Sequence, residues 1–391
     1  MSHFVDIAYN SLNKNGEELC GDKVEIIRKD DRHIIVMADG LGSGVKANIL
    51  ATLTSKIAAT MLENGASIIE TVNTIIHTLP VCKVRKLAYS TFTILEIYED
   101  GRVYTAEYGN PPLLFIRNGE LINIEKRETN IDNTIVKEAN FNIQNGDLIV
   151  IVSDGVVHAG VGGILDLGWR WNNIEKYFRK ISLIEKSARK ITEDLIDTCQ
   201  ILYMGKPGDD TTAVAVKIRE PEIINLFTGP PENPSKDKIT VESFMKSEGK
   251  KIVCGGTAAK IVARELNKEI ITSMEFIDPE VPPTASIEGI DLVTEGVLTL
   301  NKTIKILEKY LESQYKENLI LSLDKEDGAS KLAKLFIEDC THLNLWVGSA
   351  VNPAHQNPDF PINLSIKLKI VEELVKILKK KRENEKLVEN N

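Results

Sequence analysis

Five aspartates in short glycine-flanked motifs carry the chemistry this chain offers: Gly21-Asp22, Ala38-Asp39-Gly40, Ser153-Asp154-Gly155 and Gly208-Asp209-Asp210-Thr211-Thr212. Asp39 and Asp154 follow the apolar runs 33–37 and 148–152, which read as buried strands. The last motif precedes another such run, 213–218. Carboxylates set where strands meet turns point into a shared cleft, and no Cys or His accompanies them. An all-oxygen set of this kind suits hard divalent cations. A carboxylate-held metal pair makes a nucleophilic hydroxide and clamps a phosphoryl oxygen. The pattern therefore points to metal-dependent hydrolysis of a phosphate ester. A lone Asp-Gly is a common turn and says little; two strand-end pairs, with Gly-Asp before and Gly-Asp-Asp-Thr-Thr after, say much more. Gly40 also lets the backbone turn sharply and offers its carbonyl as a further oxygen ligand.

These aspartates need a scaffold. Over residues 1–219 strand-like and helix-like patterns alternate. Strands are expected at 4–9, 23–28, 33–38, 89–98, 102–108, 112–117, 147–152 and 212–218, and helices at 44–63, 67–79, 174–178 and 184–203. The turns between strands carry Gly or Asn, as in Asp100-Gly101, Gly109-Asn110-Pro111-Pro112 and Asn118-Gly119, so strands 89–117 are expected to run antiparallel. The implied architecture is α+β, with sheet packed on sheet and helices outside. A Pro-rich stretch over 220–235 reads as a linker. Beyond it, 236–391 reads as a second, smaller α/β domain. Its strands are expected at 251–254, 270–276 and 343–347, and its helices at 258–266, 298–315, 327–341 and 365–380. The last helix gathers Ile366, Ile370, Leu374, Ile377 and Leu378 on one side, and the charged end, 379–391, is expected to fray.

Composition limits the function classes. At 391 residues the chain exceeds one ordinary core, so two domains are the default. The hydrophobic (42%) and charged (27%) fractions fit a soluble globular protein. A net charge of −9 argues against a nucleic-acid partner. The start, MSHFVDIAYN, lacks a basic region followed by an apolar core, so no signal peptide is expected. No apolar run reaches the roughly 20 residues that span a bilayer, so no membrane partner is expected. Five scattered cysteines (Cys20, Cys82, Cys199, Cys254, Cys340) without a C-x-x-C pair read as reduced thiols in a cytoplasmic protein.

In these motifs and their order, residues 1–219 resemble the metal-dependent protein serine/threonine phosphatase family (PPM type), in the bacterial branch typified by the sporulation stage II E phosphatase. The resemblance rests on Cys20-Gly-Asp22, Val36-Met-Ala-Asp-Gly-Leu-Gly-Ser-Gly44, Gly109-Asn-Pro-Pro112, Val152-Ser-Asp-Gly-Val156 and Gly208-Asp-Asp-Thr-Thr-Ala-Val214. It implies a four-layer αββα sandwich, two antiparallel sheets flanked by helices, holding two Mg²⁺ or Mn²⁺ ions at one edge. Asp39 would bridge the ions and the Gly40 carbonyl would ligate one of them. Asp154 and Asp209 would complete the other shell, Asp22 would hold a bound water, and Asp210 would support from behind. The substrate would be a phosphoserine or phosphothreonine protein, attacked directly by a metal-bridging hydroxide. In this branch that protein is an anti-sigma antagonist-like partner. Leu41 stands where eukaryotic members carry a histidine proposed as general acid, so no proton donor is assigned. Arg28, Arg32 and Arg85 are the arginines available for substrate phosphate, and His158 follows the Asp154 motif. The N-terminus of the helix beginning at Gly44 would face the metal edge and help to hold an anion.

The second domain matches no family by its residues. Gly255-Gly256-Thr257, Thr294-Glu295-Gly296 (Thr294 a candidate cap) and 348–355, with Ser349, Asn352 and His355, all lie at strand ends. On parallel strands they would line one crevice. A small-molecule or anion sensor governing the phosphatase is one reading; ordinary turns in a homodimerisation or docking domain is the other. For the whole chain, the alternatives to an active protein phosphatase are a catalytically inactive phosphatase-like scaffold and a hydrolase of a small phosphorylated metabolite.

Overall fold

The computed structural model describes residues 3–78, 90–132, 134–273, 275–312, 323–348 and 366–387. The chain divides into two compact units, 1–220 (with 385–391) and 221–384.

The first unit contains β1 (Phe4–Leu12), β2 (Asp22–Arg28), β3 (Arg32–Gly40), α1 (Gly44–Glu63), α2 (Ile68–Thr78), β4 (Ser90–Tyr98), β5 (Arg102–Tyr108), β6 (Leu114–Arg117), β7 (Glu120–Leu121), β8 (Arg127–Ile131), β9 (Thr134–Asn142), β10 (Leu148–Val152), α3 (Asp154–His158), α4 (Trp171–Ile184), α5 (Ala188–Leu202) and β11 (Thr211–Arg219). One sheet runs β1-β11-β10-β6-β7 and the other β2-β3-β4-β5-β9-β8. Neighbouring strands are antiparallel throughout.

Strand periodicity explains the layers. Along β3, Ile34, Val36 and Ala38 pack under Leu50, Ala58 and Leu62 of α1 and Val72 and Ile75 of α2. The alternate residues Ile35 and Met37 face Ile149, Ile151, Val214 and Val216 of the other sheet. That sheet turns Val150, Val152, Ala213 and Ala215 to Ile174 and Phe178 of α4 and Ile191 and Leu195 of α5. Both faces of the central strands are buried, which is why they read as unbroken apolar runs. The unit is a four-layer αββα sandwich.

The hairpin β8–β9 is absent from the expected strands. Only Ile131, Val136 and Ala139 are buried on it, with Arg127, Glu128 and Lys137 exposed, so it lacks the apolar run that marks β3. The fourth helix is longer than the expected 174–178, because only Ile174 and Phe178 are buried on it.

The second unit contains β12 (Glu222–Thr228), α6 (Asp237–Lys246), β13 (Lys250–Cys254), α7 (Gly256–Leu266), β14 (Ile271–Thr272), β15 (Ala285–Ser286), β16 (Leu292–Thr294), α8 (Val297–Glu312), α9 (Gly328–Lys334), β17 (Cys340–Val347) and α10 (Ile366–Leu387). Its sheet runs β14-β15-β16-β13-β12-β17, with β16, β13, β12 and β17 parallel. α6 and α7 cover one face; α8, α9 and α10 cover the other.

Three differences from the expected second domain have clear causes. The stretch 220–235 is not a continuous linker: β12 lies inside it, with Ile224 and Leu226 fully buried. Pro221 and the Thr228-Gly229-Pro230-Pro231 turn bracket this strand and hide it in a Pro-rich composition. The helix expected at 327–341 ends in a wider π-type segment at Leu335–Asp339 and gives way to β17 at Cys340. The last helix continues to Leu387 through the end expected to fray. Ser349, Asn352 and His355 lie outside the described residues. Among the described residues no helix is long and apolar enough to cross a membrane.

Candidate active site

The aspartates come from both sheets of the first unit and meet at one edge. Asp22 begins β2 and Asp39 stands directly opposite it near the end of β3. Two residues serve as hinges: the Gly40 amide donates to the Gly21 carbonyl at 3.0 Å, and the Ser90 hydroxyl donates to the Asp39 carbonyl at 2.9 Å. From the other sheet, Ser153 continues the β10–β11 ladder, its amide donating to the Thr212 carbonyl at 2.9 Å. Its hydroxyl accepts from the Thr212 amide at 2.8 Å. This fastens the turn that starts at Asp154 to the segment carrying Asp209 and Asp210.

Three of the motif glycines are required by space rather than by dihedral freedom. A Cβ on Gly21 would sit 2.7 Å from Asp210 Oδ2, on Gly40 2.1 Å from the Ala47 carbonyl oxygen, and on Gly155 2.1 Å from the Asp210 carbonyl oxygen. Gly21 brings the first sheet's Asp22 against Asp210, Gly40 brings α1 down on Asp39, and Gly155 lets the Asp154 turn close on Asp210.

The electrostatics follow from this crowding. Burial, then the charges of Asp22, Asp154, Asp209 and Asp210, push the Asp39 carboxyl up to about 8. Burial is also the main cause that lifts Asp22 to about 7, with Asp210 and Asp154 adding to it. The Thr212 and Ser153 hydroxyls oppose that rise, yet neither Asp22 oxygen has a hydrogen-bond partner. Asp154 is raised by burial and by Asp209, against His158. Asp210 is raised by burial, against the amides of Lys14 and Gly21. The Cys20 thiol is pushed up by burial and by Asp22 and Asp210.

This donor set fits divalent cations. Asp22 Oδ1 and Oδ2 and Asp210 Oδ2 are buried and unpartnered. A buried acceptor without a donor costs free energy that a cation would return. Every donor is oxygen, as Mg²⁺ and Mn²⁺ prefer. Among the described residues no three His, Cys, Asp or Glu side chains are drawn into a finished ligand cage.

Several expected residues do not join the site. Arg28 and Arg32 lie at the far ends of β2 and β3 from Asp22 and Asp39. Arg28 donates to the Ile7 carbonyl; Arg32 donates to the Leu62 carbonyl at 2.7 Å and pairs with Glu96. Strand length separates them from the aspartates, so neither reaches substrate phosphate there. Arg85 lies outside the described residues. His158 is exposed at the end of α3, and its charge bears on Asp154. The N-terminus of α1 already faces a carboxylate of this chain: a Cβ on Gly44 would lie 2.3 Å from Glu17 Oε2, and the Ser43 hydroxyl donates to Glu17 Oε1 at 3.2 Å. In the second unit Thr294 does not cap α8; Glu295 does, accepting from the Leu298 amide at 2.9 Å.

Lys14 is a member of the site with no motif around it. Its amide donates to Asp210 Oδ1 at 3.0 Å and its ammonium lies 3.7 Å from Asp209. A lone lysine in a turn leaves no spacing signal.

No curated protein matches the chain. Among solved structures, the PP2C phosphatase domain with a fragment of the regulatory domain of SpoIIE from Bacillus subtilis is 20% identical, covering 56% of this chain, at a TM-score of 0.47. This chain spans 63% of that one. The RsbU and RsbW domains of a Mycobacterium tuberculosis protein are 20% identical over 61% of this chain and 67% of that one, TM-score 0.45. RsbX in complex with magnesium is 17% identical over 55% and 95%, TM-score 0.41. These scores carry no argument by themselves. Residues 29–219 match the family model for stage II sporulation protein E. That segment, just under half of the chain, is therefore similar to the stage II sporulation protein E family.

Proposed function

We propose that the first unit hydrolyses phosphoserine or phosphothreonine on a regulatory protein, using two Mg²⁺ or Mn²⁺ ions held by Asp39, the Gly40 carbonyl, Asp154 and Asp209. Asp22 acts through a bound water and Asp210 supports the set. The observation that carries this reading is the meeting of five aspartates from two sheets, with three buried carboxylate oxygens left without a partner. When bound, the ions polarise the phosphoryl group and lower the pKa of water.

The chain's own residues do the rest. Ser90, Ser153 and the Gly21–Gly40 contact hold the carboxylates in place before substrate arrives, which limits reorganisation during reaction. Lys14 keeps Asp209 and Asp210 oriented from outside. The second unit is read as the regulator, its glycine-rich strand ends serving a small-molecule or anion ligand or a homodimer contact.

The test is turnover of p-nitrophenyl phosphate and of a phosphoserine peptide with and without Mn²⁺, for the full chain and Asp154→Asn. Mn²⁺-dependent turnover that vanishes in the variant supports the reading. Turnover that survives chelation or the substitution refutes it.

A further inference from the structure

Two loops lead to the aspartates and both expose aliphatic side chains. Residues 160–168 follow the short helix of Asp154. They fold back on it: the Val161 amide donates to the His158 carbonyl at 3.0 Å, the Leu165 amide to the Gly160 carbonyl at 3.0 Å, and the Arg170 amide to the Val157 carbonyl at 3.3 Å. Within this held loop Leu165 turns inward against Gly160. Val161, Ile164 and Leu167 stay 51%, 54% and 65% exposed. The second leaves α5 toward Asp209, with Ile201 in the last turn of the helix 70% exposed and Met204 in the loop 69% exposed. Met204 is held in the left-handed region, φ +55°. The loops touch: a Cβ on Gly163 would lie 3.7 Å from Met204 Sδ and 3.9 Å from the Leu202 carbonyl.

The contact sets Met204 beside the 160–168 loop, whose backbone is kept in place by hydrogen bonds. Single exposed apolar residues need no explanation, but a contiguous group marks a contact surface. Its chain distance from the site is short. Met204 precedes Asp209 by five residues, so it lies within about 18 Å of it even if the segment were fully extended. An extended substrate covers that reach with five or six residues on one side of its phosphoresidue. Among the exposed charged residues of the two loops, Arg170 and Lys206 are cationic and Asp166 is anionic. The two cations suit a chain that brings phosphate.

We infer that Val161, Ile164, Leu167, Ile201 and Met204 form the docking surface for the phosphoprotein substrate, selecting apolar residues next to the phosphoserine. This rests on the phosphatase reading above. It goes further by naming what flanks the scissile group and which residues read it. Continuity with the aspartate edge decides for substrate over a second copy of the chain.

The test uses the full chain with Mn²⁺ and two nine-residue phosphoserine peptides, one flanked by leucines and one by serines. Covering half-exposed aliphatic side chains is expected to favour the leucine peptide about tenfold in kcat/KM. In Ile164→Ser/Leu167→Ser that preference is expected to fall to about twofold, with p-nitrophenyl phosphate turnover as the reference for the chemistry. Met204→Gln, at a different loop, provides the second variant should the first misfold by circular dichroism, and is expected to lose most of the preference as well. Equal kcat/KM for the two peptides in the unsubstituted protein overturns the inference, as does a preference kept in both variants. A concentration-dependent dimer that these substitutions dissolve also overturns it. Absence of p-nitrophenyl phosphate turnover in the unsubstituted protein would instead sink the phosphatase reading, and the docking surface with it.

Discussion

Replacing Gly155 by alanine tests whether the meeting of the two sheets' aspartates is what matters. The added Cβ would lie 2.1 Å from the Asp210 carbonyl oxygen and 2.6 Å from Thr211 Oγ1. Ordinary contact begins near 3.4 Å, so the Asp154 turn and the start of β11 must part by about 1.3 Å. Both neighbours are held: β11 by its ladder to β10 and β1, and Gly155 by the Tyr203 hydroxyl, which donates to its carbonyl at 2.6 Å. The turn cannot swing away without breaking one of these. Overpacking of this kind costs about 1–3 kcal/mol of stability, which leaves most of a domain's stability intact. The same shift separates Asp154 from Asp209 and Asp210, and about 1 Å of misplacement costs on the order of a hundredfold in rate. Gly155→Ala is therefore expected to stay folded, with kcat toward p-nitrophenyl phosphate down about a hundredfold at saturating Mn²⁺. The matched control is Gly163→Ala, whose Cβ meets nothing closer than 3.6 Å. The assay is steady-state turnover across a Mn²⁺ titration, with melting temperature measured in parallel. Near-normal kcat in a folded Gly155→Ala protein would refute the reasoning, because the contact between the sheets' acidic ends would then be dispensable.

Three further outcomes are expected. His33 is half-buried with its Nδ1 enclosed and unpartnered, and desolvation followed by Arg28 across the ladder lowers its pKa from 6.5 to about 4. The unfolded chain takes up this proton first, so stability falls as pH drops from about 6.5 to about 4 and then levels. The span is worth about 3 kcal/mol, and urea midpoints across that range should flatten in His33→Gln. Asp22→Asn removes a buried charge with no hydrogen-bond partner. It should raise the metal-free melting temperature at pH 8 by about 2–4 °C while shrinking the rise that Mn²⁺ produces; an unchanged Mn²⁺ shift would exclude Asp22 from the ion site. Arg117 holds the fully buried Asp147 through Nε at 2.8 Å and Nη2 at 2.7 Å. Arg117→Ala should cost about 3 kcal/mol in urea unfolding, since it strands a buried carboxylate at the foot of β10.

How much of this could be read from residues alone depended on burial. The β3 run Ile34–Val36 and its neighbours announced a central strand because both faces are covered. The aspartates were legible because each stands at a strand end beside glycine, and the glycines turn out to be where backbone meets backbone. The β8–β9 hairpin was not legible, since only Ile131, Val136 and Ala139 are buried on it and no apolar run forms. β12 was hidden by the prolines at its ends, although its middle is as buried as any strand in the chain. The place of Lys14 depends on a backbone amide, which any residue type supplies, so no motif could mark it. Arg32 and Asp39 stand at opposite ends of one strand, so its length keeps the arginine from the aspartates.

The order of strands in the first sheet has a consequence for a nascent chain. β11, the last strand of the unit, is not at the edge: it lies between β1 and β10, pairing with Phe4–Leu12 along its whole length. A polypeptide emerging from the ribosome thus holds its first strand without a partner until about two hundred residues later. Until then β1 and β10 present open edges, the kind of surface that pairs with other chains. The same late strand brings Asp209 and Asp210, so the acidic edge is completed only when the sheet is closed. A ribosome-stalled fragment ending before residue 209 would carry the gap and lack Asp209 and Asp210.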